Sequence, residues 1–229
     1  INHLATQRIA EYCAAHSKRL IFASTVAVYG DDASGRLNEG TPVNPDTAYG
    51  RSKLLAEGHV IDAGGTVLRP PMVYGAHDRG NMAKMMRAIQ KGWFVIPGAG
   101  GALRTFAGRW NVAHAIRLAL DTESACGRTY LVTDDEDLSL ADLCDKIAGL
   151  ANCRKPLRVP SALIALAALG GTAGGRILRR NMPLDLASYS KLTRDLSFDG
   201  GRIREEIGYR PVKTLDEGLK EEVAWLAAN

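Results

Sequence analysis

The chain has 229 residues, of which 46% are apolar and 24% are charged. This composition is typical of a globular protein and excludes disordered, collagenous and fibrous structures. Twenty-nine Lys and Arg residues against 25 Asp and Glu residues give a net charge of +4, too small to indicate a nucleic-acid-binding surface. The first residues, INHL, resemble neither a translation start nor a signal peptide, so we expect that the chain begins inside a longer protein.

Helix and strand signals alternate in the first part of the chain. Apolar residues recur at helical spacing over residues 2–15, and a short buried strand is predicted at residues 19–23. After a loop rich in Gly, Pro, Asn and Asp, a helix is predicted over residues 48–61 and a strand at residues 66–69. This order predicts a parallel sheet covered on both faces, with ligands bound beyond the carboxyl ends of its strands.

The last third of the chain predicts a smaller lobe of mixed helices and strands. Two capping boxes, SLAD at Ser139 and TLDE at Thr214, predict the starts of amphipathic helices. The predicted elements are helices at residues 140–151, 184–192 and 215–228 and strands at residues 129–132 and 157–159.

An uncharged run, VPSALIALAALGGTAGG, covers residues 159–175. A membrane-spanning helix needs about 20 predominantly apolar residues, so this run, with its proline and four glycines, predicts no transmembrane span. We expect a buried or groove-lining helix, and an interfacial membrane contact is the alternative. The four cysteines form no CxxC pair and the five histidines fall at no ligand spacing, which predicts neither a metal site nor disulfides and favours a cytoplasmic location.

The segment YGRSK places Tyr49 and Lys53 four residues apart on the predicted helix, and Thr25 follows the first predicted strand. Positions i and i+4 share one helix face, so the Lys53 ammonium can lie beside the Tyr49 ring. A fixed cation next to a phenol favours the phenolate, which suits proton exchange with an alcohol or carbonyl oxygen. Thr25 can donate a hydrogen bond to the same oxygen. Together the three residues predict a catalytic group.

The ordered segments IFASTVAVYGDD, AYGRSKLLAE and LRPPMVYG resemble the extended short-chain dehydrogenase/reductase family, in particular its NAD-dependent sugar-nucleotide epimerases and dehydratases. The resemblance covers nearly the whole chain. It implies an α/β fold with a partial doubly wound, Rossmann-like parallel sheet and a smaller mixed α/β substrate lobe. It assigns residues 1–75 to the cofactor-binding domain and residues 76–229 to the substrate lobe, with residues 110–135 returning to the sheet.

The same resemblance implies roles for individual residues. Thr25, Tyr49 and Lys53 match the catalytic residues, and all three also contact NAD. The other cofactor contacts that it implies are Asn2, Pro70 and Pro71, whereas Met72 replaces a polar Asn of some relatives.

Two further positions match residues that bind the nucleotide diphosphate of the substrate. These are Asn81, which could instead cap a helix, and Arg104, which could instead be a solvated strand residue. Arg194 is a candidate for a second diphosphate arginine, and Asn111 stands where many relatives have Asp.

The family's dehydratases follow the catalytic Thr with Asp-Glu, whereas Val26 and Ala27 follow Thr25 here. The resemblance therefore favours a UDP-sugar 4-epimerase acting through a 4-keto intermediate. A ketoreductase of the same family or a non-catalytic scaffold that keeps the fold are the alternatives. A homodimer through helices 2–15 and 46–63 is also implied.

The family's dinucleotide loop, GxxGxxG, does not occur in this chain. The glycine clusters at residues 98–101 and 170–175 follow no strand that leads into a helix, so neither is expected to bind pyrophosphate. We therefore expect the family's first βαβ unit to lie outside these 229 residues, and we expect residues 1–229 alone to bind NAD weakly and to be inactive.

Overall fold

A computed structural model of the chain describes residues 2–178 and 186–228. The helices are α1 (Asn2–Ala15), α2 (Ala48–Asp62), α3 (Asn81–Gln90), α4 (Arg109–Asp121), α5 (Leu140–Leu150), α6 (Ser161–Leu178), α7 (Leu186–Thr193), α8 (Gly201–Ile207) and α9 (Leu215–Ala228). The strands are β1 (Ile21–Ala23), β2 (Arg36–Leu37), β3 (Thr66–Arg69), β4 (Met72–Tyr74), β5 (Val95–Pro97), β6 (Leu103–Gly108), β7 (Thr129–Leu131), β8 (Asp137–Ser139), β9 (Leu157–Val159) and β10 (Ser197–Phe198).

These elements form two compact units. Unit 1 contains the segments up to Gly75, the stretch 105–136 and the stretch 197–218, and unit 2 contains the remainder. The chain thus leaves unit 1 after β4 and returns to it twice. The assignment of residues 1–75 to cofactor binding and of residues 76–229 to substrate binding stays a prediction.

Unit 1 is built on a parallel sheet in the order β1-β3-β7. All four residues of β3 are buried, as expected of a central strand covered on both faces. On one face, apolar residues of α4 and α8 pack against β3 and β7 in a single core cluster that includes Leu68, Ala115, Tyr130 and Ile203. The family's α/β fold is confirmed by this arrangement, and the strand predicted at residues 66–69 coincides with β3.

Helices α1 and α2 pack against each other within unit 1. The Nε2 atoms of His3 and His59 lie 2.9 Å apart, and their rings are stacked. Ala10 and Val60 are buried, while Leu4 and Ile9 are exposed. The pair of helices therefore leaves apolar side chains of α1 at the surface.

Unit 2 contains a two-stranded parallel sheet, β5-β9, and helices α3 and α5, which pack together. The buried residues of α3 include Met82, Met86 and Ile89, spaced so that they share one helix face. The capping box at Ser139 is confirmed, because the Ser139 hydroxyl accepts a hydrogen bond from the Asp142 amide over 3.0 Å. In unit 1, the capping box at Thr214 also forms, because the Thr214 backbone N–H donates to the Glu217 carboxylate.

Helix α6 covers most of the uncharged run and corrects one expectation about it. Between residues 161 and 170, where its side chains are described, Ile164 and Ala168 are buried and Leu163, Leu166 and Leu169 are exposed. The glycine cluster at residues 170–175 lies within this helix rather than after it. Among residues 2–178 and 186–228, no helix is both long and apolar enough to cross a bilayer.

Candidate active site

Thr25 lies where β1 ends, and main-chain hydrogen bonds hold it there. The Ser24 amide donates to the Leu68 carbonyl over 2.7 Å, and the Val26 amide donates to the Pro70 carbonyl over 3.2 Å. The pairing between β1 and β3 therefore continues past both strands and places Thr25 alongside Pro70. The Thr25 hydroxyl oxygen also accepts from the Ala27 amide, so it caps the 3-10 turn that follows.

Helix α2 begins against that same turn. Thr47 caps the helix by accepting a hydrogen bond from the Gly50 amide over 3.0 Å. Gly50 is buried, and a Cβ added to it would lie only 2.6 Å from the Ala27 carbonyl oxygen. Since such an approach is open only to glycine, Gly50 lets the first turn of α2 approach the turn after Thr25. A glycine one residue after Tyr49 in a helix was the sequence signal, and sequence reasoning missed it.

Lys53 and Tyr49 lie side by side on α2, as their spacing predicts. The Lys53 Nζ donates to the Ala23 carbonyl over 2.8 Å and lies 5.9 Å from the centre of the Tyr49 ring. It also lies 4.6 Å from the centre of the Phe22 ring. Burial lowers the pKa of Lys53, and the charge of Glu57 opposes this shift. Tyr49 is 50% exposed.

A buried ion pair lies below these residues. Glu57, one helical turn after Lys53, accepts from the Arg69 Nε over 3.0 Å and from its Nη2 over 2.6 Å. Both side chains are less than 10% exposed. Burial by itself disfavours the Arg69 cation, but the hydrogen bonds and charge of Glu57 raise its pKa above the ordinary value.

Two more residues join this ion pair. The Ser24 hydroxyl donates to Glu57, and the Arg69 Nη1 donates to the hydroxyl of Tyr29, 3.1 Å away. The cluster of Ser24, Tyr29, Glu57 and Arg69, hereafter the Glu57–Arg69 cluster, thus ties together the segments that hold Thr25, Lys53 and Pro70. Sequence reasoning missed it, although an Arg in the short predicted strand TVLR was a signal.

A second buried cluster surrounds Asp134. Its carboxylate accepts from the Tyr74 hydroxyl over 2.8 Å, from the Gly108 amide and from the Asn111 Nδ2. The Asn111 Oδ1 accepts from the amides of residues 212 and 213. Burial raises the pKa of Asp134, and these hydrogen bonds oppose the shift. Asn111 is therefore a structural residue that joins three segments of unit 1.

The predicted diphosphate-binding residues lie in unit 2. Asn81 is exposed and begins α3 without capping it, because the Asp78 carboxylate accepts the hydrogen bonds of the Gly80 and Ala83 amides. Arg104 is buried rather than solvated, which corrects the simpler interpretation of this residue. Its Nη1 donates to the carbonyls of Leu103 and Arg194.

The remaining predicted residues are placed as follows. Pro70 and Pro71 are buried between β3 and β4 in unit 1. Asn2 begins α1, and its side chain lies outside the described residues. Gly98 and Gly100 form a turn after β5, which leads to no helix N-terminus. Within residues 2–178 and 186–228, no three His, Cys, Asp or Glu side chains are grouped to hold a metal ion.

The chain belongs to the NAD dependent epimerase/dehydratase family, whose family model matches residues 1–133. This match contains Thr25, Tyr49, Lys53 and the whole Glu57–Arg69 cluster. NAD is the cofactor of the family.

Relatives in bacteria support the same membership. The chain is 30% identical to YbjS, an uncharacterized protein of Escherichia coli strain K12, over 98% of this chain and 71% of the relative. It is 29% identical to a UDP-glucose 4-epimerase of Vibrio cholerae, over 93% of this chain and 64% of the relative. It is 26% identical to an N-acetyl-α-D-glucosaminyl-diphospho-ditrans,octacis-undecaprenol 4-epimerase of Escherichia coli O157:H7, over 88% and 63%. The chain thus spans less than two thirds of the last two relatives.

Solved structures confirm the fold. The UDP-glucuronic acid 4-epimerase of Bacillus cereus superposes with a TM-score of 0.75 at 19% identity, over 99% of this chain and 67% of that chain. MoeE5 in complex with UDP-glucose and NAD gives a TM-score of 0.72 at 22% identity, over 99% and 71%.

Proposed function

We propose that this chain forms the catalytic part of an NAD-dependent nucleotide-sugar 4-epimerase. The observation that supports it best is the placement of the Lys53 ammonium beside the Tyr49 ring at the carboxyl end of β1. Thr25 lies on the segment that follows the same strand. A phenol beside an ammonium, with a hydroxyl on the segment that follows the same strand, suits reversible oxidation of a secondary alcohol.

The residues present fit NAD. The Lys53 ammonium has three donors, and its hydrogen bond to Ala23 leaves donor capacity for ribose hydroxyls. Thr25 and the buried Pro70 and Pro71 lie on adjacent segments and would contact the nicotinamide end, as the family resemblance implies. NAD, when bound beside these residues, would supply reversible hydride transfer at carbon 4 of the sugar.

The protein's own residues manage the proton and the oxygen. The Tyr49 phenolate would take the proton of the 4-hydroxyl group and return it after the keto sugar has presented its other face. The Lys53 cation would favour the phenolate, and Thr25 would donate a hydrogen bond to the reacting oxygen. Asn81 and Arg104 are proposed to bind the diphosphate of the substrate.

Elimination of water is disfavoured because Thr25 is followed by Val26 and Ala27, which supply no carboxylate. A ketoreductase or dehydrogenase is the second candidate. It is favoured by relatives that include two 3β-hydroxysteroid-dehydrogenase/decarboxylases of Arabidopsis thaliana and a 2-alkyl-3-oxoalkanoate reductase of Shewanella oneidensis, each 26–27% identical. An epimerase returns its hydride and yields no net NADH, whereas a dehydrogenase accumulates it.

The test is turnover of UDP-glucose by the full-length protein as encoded, with Tyr49→Phe as the variant. We expect activity to fall about 10³-fold, because the proton acceptor is lost, while thermal stability is unchanged since the side chain is half exposed. Tyr12→Phe is the matched control: it removes a hydroxyl from a residue of α1 that is 60% exposed and keeps the apolar ring, so it should retain full activity.

Near-wild-type turnover by Tyr49→Phe would exclude the proposed proton transfer. Accumulation of NADH by the unmodified enzyme in step with substrate consumption would favour the second candidate. Other UDP-sugars in the same assay identify the preferred sugar.

A homodimer through α1 and α2 is also proposed. Its support is the apolar surface of α1, where Leu4, Ile9 and Tyr12 are each more than half exposed. Such side chains become buried when two copies associate. The molar mass in solution, measured by light scattering over a range of concentrations, tests this proposal.

A further inference from the structure

Two side chains from one face of α2 attach this helix to the end of β1. Lys53 and Glu57 are four residues apart, so they share the face that also carries Tyr49. The Lys53 Nζ donates a hydrogen bond to the Ala23 carbonyl over 2.8 Å. Glu57 accepts a hydrogen bond from the hydroxyl of Ser24, the next residue along the chain. The two contacts therefore hold two consecutive residues where β1 ends.

Arg69, at the end of β3, fixes the orientation of the Glu57 carboxylate. Its Nε and Nη2 atoms donate to the two carboxylate oxygens, and a bidentate pair of this kind restricts the geometry of both groups. The Arg69 Nη1 donates to the hydroxyl of Tyr29, which ends the 3-10 turn that Thr25 caps. The chain is thus attached to one buried ion pair both just before and just after Thr25.

The charge of Glu57 also acts on Lys53. Burial lowers the pKa of the Lys53 ammonium, and the negative charge of Glu57 opposes this shift. A nearby carboxylate favours the charged form of an ammonium group, whereas burial favours the neutral form. A neutral side chain at position 57 would leave the effect of burial unopposed, so the pKa of Lys53 should fall further.

We propose that the Glu57–Arg69 cluster positions Thr25 against Tyr49 and Lys53 for the proposed proton transfer. Ser24 is the member that links the cluster to Thr25, because the two residues are adjacent in the chain. The four residues of the cluster are each less than 10% exposed, so they act through the residues that they hold and not by contact with the substrate. The inference rests on the proposed function, since it assigns the cluster to the same reaction.

The first test is turnover of UDP-glucose by the full-length protein with Ser24→Ala, which removes one hydroxyl and leaves the buried ion pair intact. We expect kcat to fall about tenfold, because small displacements of reacting groups slow proton transfer. KM should stay within about twofold, since the residues proposed to bind the diphosphate lie in unit 2. The matched control is Ser139→Ala, which removes the hydroxyl that caps α5 and should leave kcat unchanged.

The second test needs no substrate. The pH dependence of lysine acetylation by trace acetic anhydride, followed by mass spectrometry, reports when Lys53 loses its proton. In Glu57→Gln the curve for Lys53 should move to lower pH, so that its acetylation at about pH 8 becomes at least about threefold faster. Lys91, in unit 2, is the internal reference and should be acetylated equally in both proteins.

Each outcome decides the inference. Wild-type kcat in Ser24→Ala, or an equal loss of kcat in Ser24→Ala and Ser139→Ala, would overturn it, because the cluster would then contribute to stability alone. If the wild type turns over no UDP-sugar, the proposed function fails, and the acetylation of Lys53 still tests the contact. Unchanged acetylation in Glu57→Gln overturns the inference, and the expected shift supports it.

Discussion

Unit 1 contains two buried polar clusters that stabilise a carboxylate in different ways. In the Glu57–Arg69 cluster, the carboxylate faces a guanidinium through two hydrogen bonds, so the charges cancel. In the Asp134 cluster, the donors are neutral: a phenol, an amide side chain and a main-chain N–H.

The two clusters are expected to respond differently to substitutions. An ion pair destabilises the fold when one partner is removed, because the other charge stays buried. A buried carboxylate whose hydrogen-bond donors are neutral is destabilised when a substitution replaces one of those donors with an acceptor. The first cluster lies beside the proposed catalytic residues, and the second joins segments distant in sequence.

The largest effect is expected from breaking the ion pair. Glu57→Ala leaves the Arg69 guanidinium buried without its counter-charge and should lower the free energy of unfolding by about 3–5 kcal/mol. Glu57→Gln keeps one acceptor and should lose less. Urea unfolding measures both, and activity of the Gln variant reports on the placement of Lys53.

The control for this prediction is Arg117→Ala, which removes the exposed pair between Arg117 and Asp121. Exposed pairs contribute little, so no measurable change is expected. A loss under about 1 kcal/mol for Glu57→Ala would mean that the ion pair adds nothing beyond an exposed one.

A smaller effect is expected from Asn111→Asp, which keeps the size of the side chain and replaces its amide group with a carboxyl group. A second carboxylate beside Asp134 raises the pKa of the new group in the folded state above its unfolded value of about 3.9. Stability is then retained below that unfolded value and is lost as the pH rises through the folded pKa.

The expected cost of Asn111→Asp is about 2–3 kcal/mol at pH 7, and it should shrink towards pH 4. Urea unfolding of the wild type and the variant at several pH values measures it. A cost that is independent of pH would show that the loss of stability comes from side-chain shape and not from the charge of the new carboxylate.

The smallest effect is expected from a change in packing, at a glycine near the proposed catalytic residues. Gly50→Ala forces a Cβ to within 2.6 Å of the Ala27 carbonyl oxygen, so α2 must move from the turn after Thr25. We expect a loss of about 1–2 kcal/mol together with reduced turnover.

Gly58→Ala, on the same helix, has nothing within 4 Å of its Cβ and should gain about 0.5–1 kcal/mol. Thermal unfolding and turnover of both variants test the pair. Equal behaviour of the two variants would show that the approach at Gly50 is not needed.

Local sequence signals predicted much of the secondary structure. The strand at residues 66–69 and the helix at residues 215–228 have the bounds that their apolar spacing and capping box indicate. The strand predicted at residues 19–23 is shorter, because only residues 21–23 pair with β3. The uncharged run was expected to form a buried or groove-lining helix, and its apolar content alone does not reveal which side of α6 other elements cover.

Some features of the candidate site could likewise be predicted from the sequence, and others could not. The spacing of Tyr49 and Lys53 follows from the helical repeat, and the order of motifs identifies the family, so both could be derived from the sequence. The pairing of Glu57 with Arg69 could not, because its hydrogen bonds join a helix to a strand. Nor could the burial of Arg104, whose partner carbonyl belongs to Arg194, 90 residues away.

The sequence alone therefore determined the class of fold, the family and the residues proposed for proton transfer, since these depend on local periodicity and on ordered motifs. The tertiary structure decided which charges are buried and compensated, which glycine permits close packing and which apolar residues stay exposed. Burial and charge compensation depend on contacts between segments far apart in the chain, and a local sequence pattern does not show which distant segments meet.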